Sequence, residues 1–174
     1  MPDFSVVVTV ISTTGALLGA LGGVALTHRA NVRREEAQFR REEAQFNRQQ
    51  EEQRMQARRE AYAELLNTAI QLRAEIEITE QRHWKDMNVR LATIQRHAVS
   101  AGPHAELVGL LSPETDGAAR ALASAAVKLA ATTAKHTDMG DEGGQITPSV
   151  DFTEFDGCFI AFSEAAARDL RTEK

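Results

Sequence analysis

Arg33-Arg34-Glu35-Glu36-Ala37-Gln38-Phe39 is followed directly by a second copy, Arg40-Arg41-Glu42-Glu43-Ala44-Gln45-Phe46, and this repeat decides how the rest of the chain is read. A strict period of seven signals a helix with one recurring face, normally a coiled coil. Each heptad brings a single large apolar residue, Phe39 or Phe46, because Ala37 and Ala44 stand two positions earlier, on nearly the opposite side of a helix. A seam of one knob per heptad is thin. The charges support the helix more directly: Arg33/Glu36, Arg40/Glu43 and Glu51/Arg54 are three apart, and Glu36/Arg40 and Arg48/Glu52 are four apart. Each such pair adds roughly 0.2–0.5 kcal/mol to a helix that needs no partner. Residues 29–57 therefore read as a solvated, charged helical stalk. A loose Phe39/Phe46 contact between two copies, forming a coiled coil, and a basic helix lying flat on lipid are the alternatives.

Upstream, no ionisable side chain lies between Asp3 and His28. A helix over Phe4–Thr27 would extend about 36 Å, enough to cross a hydrocarbon core of about 30 Å with some tilt. The hydroxyls of Ser5, Thr9, Ser12, Thr13, Thr14 and Thr27 can bond back to carbonyls of the same helix. A secretory signal would open on positive charge, whereas Met1-Pro2-Asp3 has none and the basic residues Arg29, Arg33 and Arg34 follow the run. Residues 1–28 thus read as an uncleaved transmembrane anchor. The positive-inside rule places the amino terminus outside and the carboxyl terminus in the cytoplasm, as a single-pass protein of the inner (plasma) membrane. Gly15, Gly19 and Gly23 recur every four residues, the spacing that lets two helix backbones approach closely. Together with Phe39 and Phe46 they are the candidate helix-association residues, with a second copy as partner.

Downstream, residues 58–174 read as a cytoplasmic helical bundle. Tyr62, Leu65, Ala69, Leu72, Ile76, Thr79, His83 and Met87 alternate spacings of three and four, with Leu66 and Ile70 widening the stripe of one core-facing helix. That helix extends past Ile94 toward Ala98 and is expected to stop at Gly102-Pro103, with a break near residues 80–86 left open. Ser112-Pro113-Glu114 offers an N-cap, a proline at the first helical position and an acid in the first turn for a second helix, marked by Leu122, Ala126, Leu129 and Thr133. Asp138 to Val150 reads as a loop broken by Gly140, Gly143-Gly144 and Pro148. Asp151 and Glu154 then have capping-box spacing ahead of a helix striped by Phe152, Phe155, Phe159, Phe162 and Ala166. The expected fold is all-α: a transmembrane helix, a long charged stalk and an antiparallel three-helix bundle.

The glycine-rich anchor, the RREEAQF heptads and Ala57-Arg58-Arg59-Glu60-Ala61-Tyr62-Ala63-Glu64-Leu65-Leu66 resemble uncharacterised small single-pass membrane proteins of actinobacteria and their phages. Leu110-Leu111-Ser112-Pro113-Glu114 and Phe162-Ser163-Glu164-Ala165-Ala166-Ala167-Arg168-Asp169-Leu170 resemble the same group. The resemblance implies topology and a helical bundle, and brings no catalytic residues with it.

Charge and composition bound the function. The net charge of -5 is unevenly placed. Arg29 to Arg59 holds nine arginines against six glutamates, which suits an anionic lipid surface, while Asp138 to Asp156 holds six acids and no base. No basic face for nucleic acid stands out. Histidines at 28, 83, 97, 104 and 136 match neither HExxH nor zinc spacing, and the acids from Asp138 to Asp156 do not match a calcium loop. Cys158 is the one cysteine and has no base nearby in sequence. His83-Trp84 reads either as part of a partner-binding patch or as a cover for the bundle end. The expectation is a non-enzymatic scaffold or adaptor without catalytic, cofactor or metal residues. Its partners are the lipid bilayer, a second copy, and a cytoplasmic protein. The alternative is a phage-related membrane effector acting through assembly of the glycine-rich helix.

Overall fold

The computed structural model describes the backbone from Phe4 to Thr172 and the side chains of Glu35, Glu36 and residues 38–171. Its elements are α1 (Phe4–Glu80), α2 (Met87–Leu111), α3 (Asp116–Lys135), β1 (Thr137–Gly140), β2 (Gly143–Ile146) and α4 (Thr153–Thr172). The chain divides into two units, Met1–Glu51 and Glu52–Lys174, and α1 contributes to both.

In the first unit, the described side chains from Glu35 to Glu51 are all exposed, Phe39 and Phe46 included. The expected anchor and its Gly15, Gly19 and Gly23 face lie outside the residues whose side chains are described. Among the described residues, no helix is long and apolar enough to cross a membrane.

The second unit is a bundle of four helices, where the sequence suggested three. Tyr62 of α1 meets Asp169 near the end of α4, while Arg73 further along α1 pairs with Asp156 near its start, so the two helices run antiparallel. Arg90 pairs with Glu75, His104 Nδ1 lies 3.3 Å from Glu64, and the Arg58 Nε–H donates to the Leu111 carbonyl, so α2 is antiparallel to α1 as well. Lys128 of α3 pairs with Glu154 of α4. The core-facing stripe of α1 holds as far as Thr79: Tyr62, Leu65, Ala69, Leu72 and Ile76 are buried, and Phe155, Phe162 and Ala166 of α4 join them. Tyr62 and Phe162 meet edge to face with centroids 5.9 Å apart, a favoured aromatic geometry. Alanines dominate the faces of α2 and α3, with Ala98, Ala101, Ala105, Ala119 and Ala126 all buried.

The extra helix arises because α1 stops at Glu80 and not at Gly102-Pro103. No glycine or proline marks residues 81–86, and the three-and-four spacing continues through His83 to Met87. Long-range contacts hold the break. The Trp84 backbone exchanges two hydrogen bonds of 2.9 Å with Gly144, and its indole N–H donates to the Thr79 carbonyl at 3.0 Å. That carbonyl is one of those a helix end leaves without an internal partner. His83, placed on the core stripe by its spacing, is exposed, whereas Met87 returns to the core on the next helix. Pro103 in turn lies inside α2. A mid-helix proline costs about 3 kcal/mol, and here Ala98, Ala101, Ala105 and Val108 bury apolar surface on both sides of it.

Two boundaries also move. Ser112 ends α2, its N–H donating to the Val108 carbonyl at 2.8 Å, and α3 begins only at Asp116. Residues 138–146, read from sequence as part of a loop, form with Thr137 an antiparallel hairpin in which Thr137 faces Ile146 and Gly140 faces Gly143 around Asp141-Glu142. Gly143 has φ +129, and a Cβ there would run into the Trp84 carbonyl, so only glycine suits the turn. Ile146 and Val150 are buried, which anchors the hairpin to the bundle.

Candidate functional site

Two distant stretches converge on Asp169 of α4. Its position follows Phe162 and Ala166 by the same spacing of three and four, so the apolar stripe of α4 delivers a carboxylate into the core, where it is 8% exposed. An ionised group there requires hydrogen-bonding partners. Tyr62 Oη donates to Oδ2 at 2.6 Å and Ser112 Oγ donates to Oδ1 at 3.1 Å. Arg58 Nη1 stands 3.8 Å from Oδ2, and its Nε–H binds the Leu111 carbonyl at 2.9 Å. Thr115 Oγ1 lies 3.4 Å from the Tyr62 hydroxyl and donates to the Ser112 carbonyl at 3.1 Å.

The network joins α1, the α2–α3 turn and α4 at one end of the bundle. Burial and then the hydrogen bond to Asp169 raise the Tyr62 pKa above its ordinary 10.0, which extends to higher pH the range in which the phenol donates. Its members come from three separate stretches of sequence: Arg58 and Tyr62, Ser112, and Asp169. Sequence reasoning placed Tyr62 in the core and Ser112 at a cap, but passed over Asp169. The available signal was an acid at a core position of a phenylalanine stripe.

At the opposite end, Trp84 is half-buried and meets two guanidiniums. The Arg82 and Arg90 carbons lie 4.0 and 3.3 Å from the ring centroid, within cation–π range. Arg90 also binds Glu75 at 2.9 Å. With two guanidiniums against its ring and its N–H engaged, Trp84 closes the bundle against the hairpin.

The acids between 138 and 156 are dispersed among separate tasks. Asp138 lies in β1, and Asp141 and Glu142 form the hairpin turn. Asp151 accepts from the Thr153 hydroxyl and N–H at 2.6 and 2.9 Å, and these bonds lower its pKa. Glu154 does not complete the capping box but reaches Lys128, and Asp156 pairs with Arg73, whose guanidinium also covers the Phe152 ring. Among the described residues, no group of three or more His, Cys, Asp or Glu is placed to hold a metal ion. Cys158 is half-buried at the edge of the core.

Of the candidate association residues, the two phenylalanines are described, on one helix and seven positions apart. Phe39 is 68% and Phe46 65% exposed. The bundle surface offers a groove of about 220 Å³ between α2 and α3, with Ala98 and Ala130 at its floor and Val99 and Val127 at its rim. Comparison with known protein families, curated proteins and solved structures finds no match.

Proposed function

We propose that this protein is a membrane-anchored, non-enzymatic helical scaffold, held by residues 4–27 and presenting a cytoplasmic bundle to a protein partner or to copies of itself. The observation that carries the reading is the charge-free run Phe4–Thr27 followed at once by Arg29, Arg33 and Arg34. Such a segment partitions into a bilayer, and its flanking arginines resist translocation. The charged heptads then suit a spacer, because opposite charges three and four positions apart favour a helix without tertiary contacts.

Separate fusions of alkaline phosphatase and of a cytoplasm-active fluorescent protein after Lys174 test the reading. Fluorescence without phosphatase activity is expected. Phosphatase activity without fluorescence overturns the topology and the cytoplasmic placement together.

Gly15, Gly19 and Gly23 favour a second reading, a phage-related membrane effector that acts by assembling its anchor in the bilayer. Depolarisation on overexpression that persists after truncation at Arg59 selects the effector. A harmless truncation selects the scaffold.

A further inference from the structure

The stalk separates its charges between two faces. At about 100° per residue, Glu35, Glu36, Glu42, Glu43 and Phe46 all fall within roughly 60° of Phe39. Arg40, Arg41, Ala44 and Arg48 occupy the other side, about 100–200° away. All of these residues lie in one helix and are exposed. The separation ends at Glu51 and Glu52, which return to the arginine side, so it spans about two heptads.

This pattern bears on what can cover Phe39 and Phe46. A symmetric pair, phenylalanine face to phenylalanine face, brings four carboxylates from each chain around the same seam, and like charges at that range repel. Anionic lipid meets the same obstacle at that face. An arginine-flanked surface with a small residue between the arginines fits it, and the chain carries one on its own opposite side with the same seven-residue period.

We propose that stalks associate through unlike faces: the Phe39/Phe46 face of one copy packs over Ala44 of the next, and Glu35, Glu36, Glu42 and Glu43 meet Arg40, Arg41 and Arg48. Such an interface is heterologous, leaving a free acidic face at one end and a free basic face at the other, so it propagates to rings or rows and does not stop at a closed dimer. The proposal deepens the self-association in the proposed role, and rests on that role for the parallel arrangement that a shared membrane imposes. Confinement to one membrane also raises the effective concentration that a two-heptad contact needs.

The test uses full-length chains in membranes, in a Cys158→Ser background, with two tags. One chain carries Gln50→Cys, on the phenylalanine face, and the other Ala44→Cys, on the arginine face. A short bifunctional thiol reagent is expected to give more mixed product than either like-with-like product. Glu42→Gln with Glu43→Gln, and separately Arg40→Gln with Arg41→Gln, should each lower the mixed product a few fold, a loss set by two exposed ion pairs. Glutamine sustains a helix, so these exposed changes leave the fold intact. A dominant Gln50–Gln50 product that rises when Glu42 and Glu43 are neutralised overturns the proposal in favour of a symmetric phenylalanine seam. Absence of any product above monomer background overturns it as well. The carboxyl-terminal fusions report topology separately, so a wrong orientation and a wrong stalk contact give different results.

Discussion

Replacing Asp169 by alanine should cost the bundle about 3–5 kcal/mol, the range for removing one member of a buried, hydrogen-bonded charge network. The geometry supports a value toward the lower end. Tyr62 at 2.6 Å and Ser112 at 3.1 Å both lose their acceptor, and each buried donor left unsatisfied costs about 1–3 kcal/mol. Arg58 adds less, because its side chain is 21% exposed and 3.8 Å from the carboxylate, so water screens that pair. Against a total stability of roughly 5–15 kcal/mol the loss is large. Asp169→Asn keeps the volume and one acceptor oxygen and should cost less than half as much. Urea unfolding of a fragment spanning residues 52–174, followed by the fluorescence of Trp84, the one tryptophan, reads the difference. A double-mutant cycle with Tyr62→Phe should show coupling of about 1–3 kcal/mol. If Asp169→Ala unfolds within about 1 kcal/mol of the parent, the desolvation of the carboxylate cancels its bonds, and the network is not what holds the three elements together.

Phe162→Ala should lower stability by about 3–5 kcal/mol, since Phe162 is fully buried against Tyr62. Phe159, half-buried beside Ile70, should cost clearly less; equal losses in thermal melts would show that the two share one environment. Because the folded state holds the Tyr62 proton more tightly than the unfolded chain, this group's contribution is complete below pH 10.0 and is lost as pH rises through the raised folded value. Unfolding midpoints should therefore fall above about pH 10 and fall less steeply in Tyr62→Phe. Parallel curves for the two proteins would remove Tyr62 from the alkaline transition.

Much of the bundle could be read from periodicity alone. Tyr62 through Thr79, Leu122 through Thr133, and Phe155 with Phe162 and Ala166 are buried where their spacing puts them, because a helix turns by a constant angle and one face must meet the core. The same rule overreached at Phe152 and Phe159, which sit at the margin of the stripe and are half-buried. It also overreached at Ile70, 54% exposed beside α4. The Asp169 network was half legible: an acid at a core position is visible in the sequence, but the identity of its partners is not. Tyr62 and Ser112 are 107 and 57 residues away from it.

Local chemistry in the chain therefore settles which faces of its helices are apolar and how charge is sorted along residues 35–48. These depend on neighbours three, four and seven positions apart, and the residue types state them directly. Where α1 ends was decided elsewhere. Trp84 finds its backbone partner at Gly144, and the hairpin holding Gly144 depends on a glycine at φ +129 and on Ile146 and Val150 entering the core. Pro103 remains helical for the same kind of reason, since the burial of alanines on either side outweighs the bond it cannot make. A breaker sets only a local cost, and whether the chain bends there depends on contacts that exist only once the helices have met.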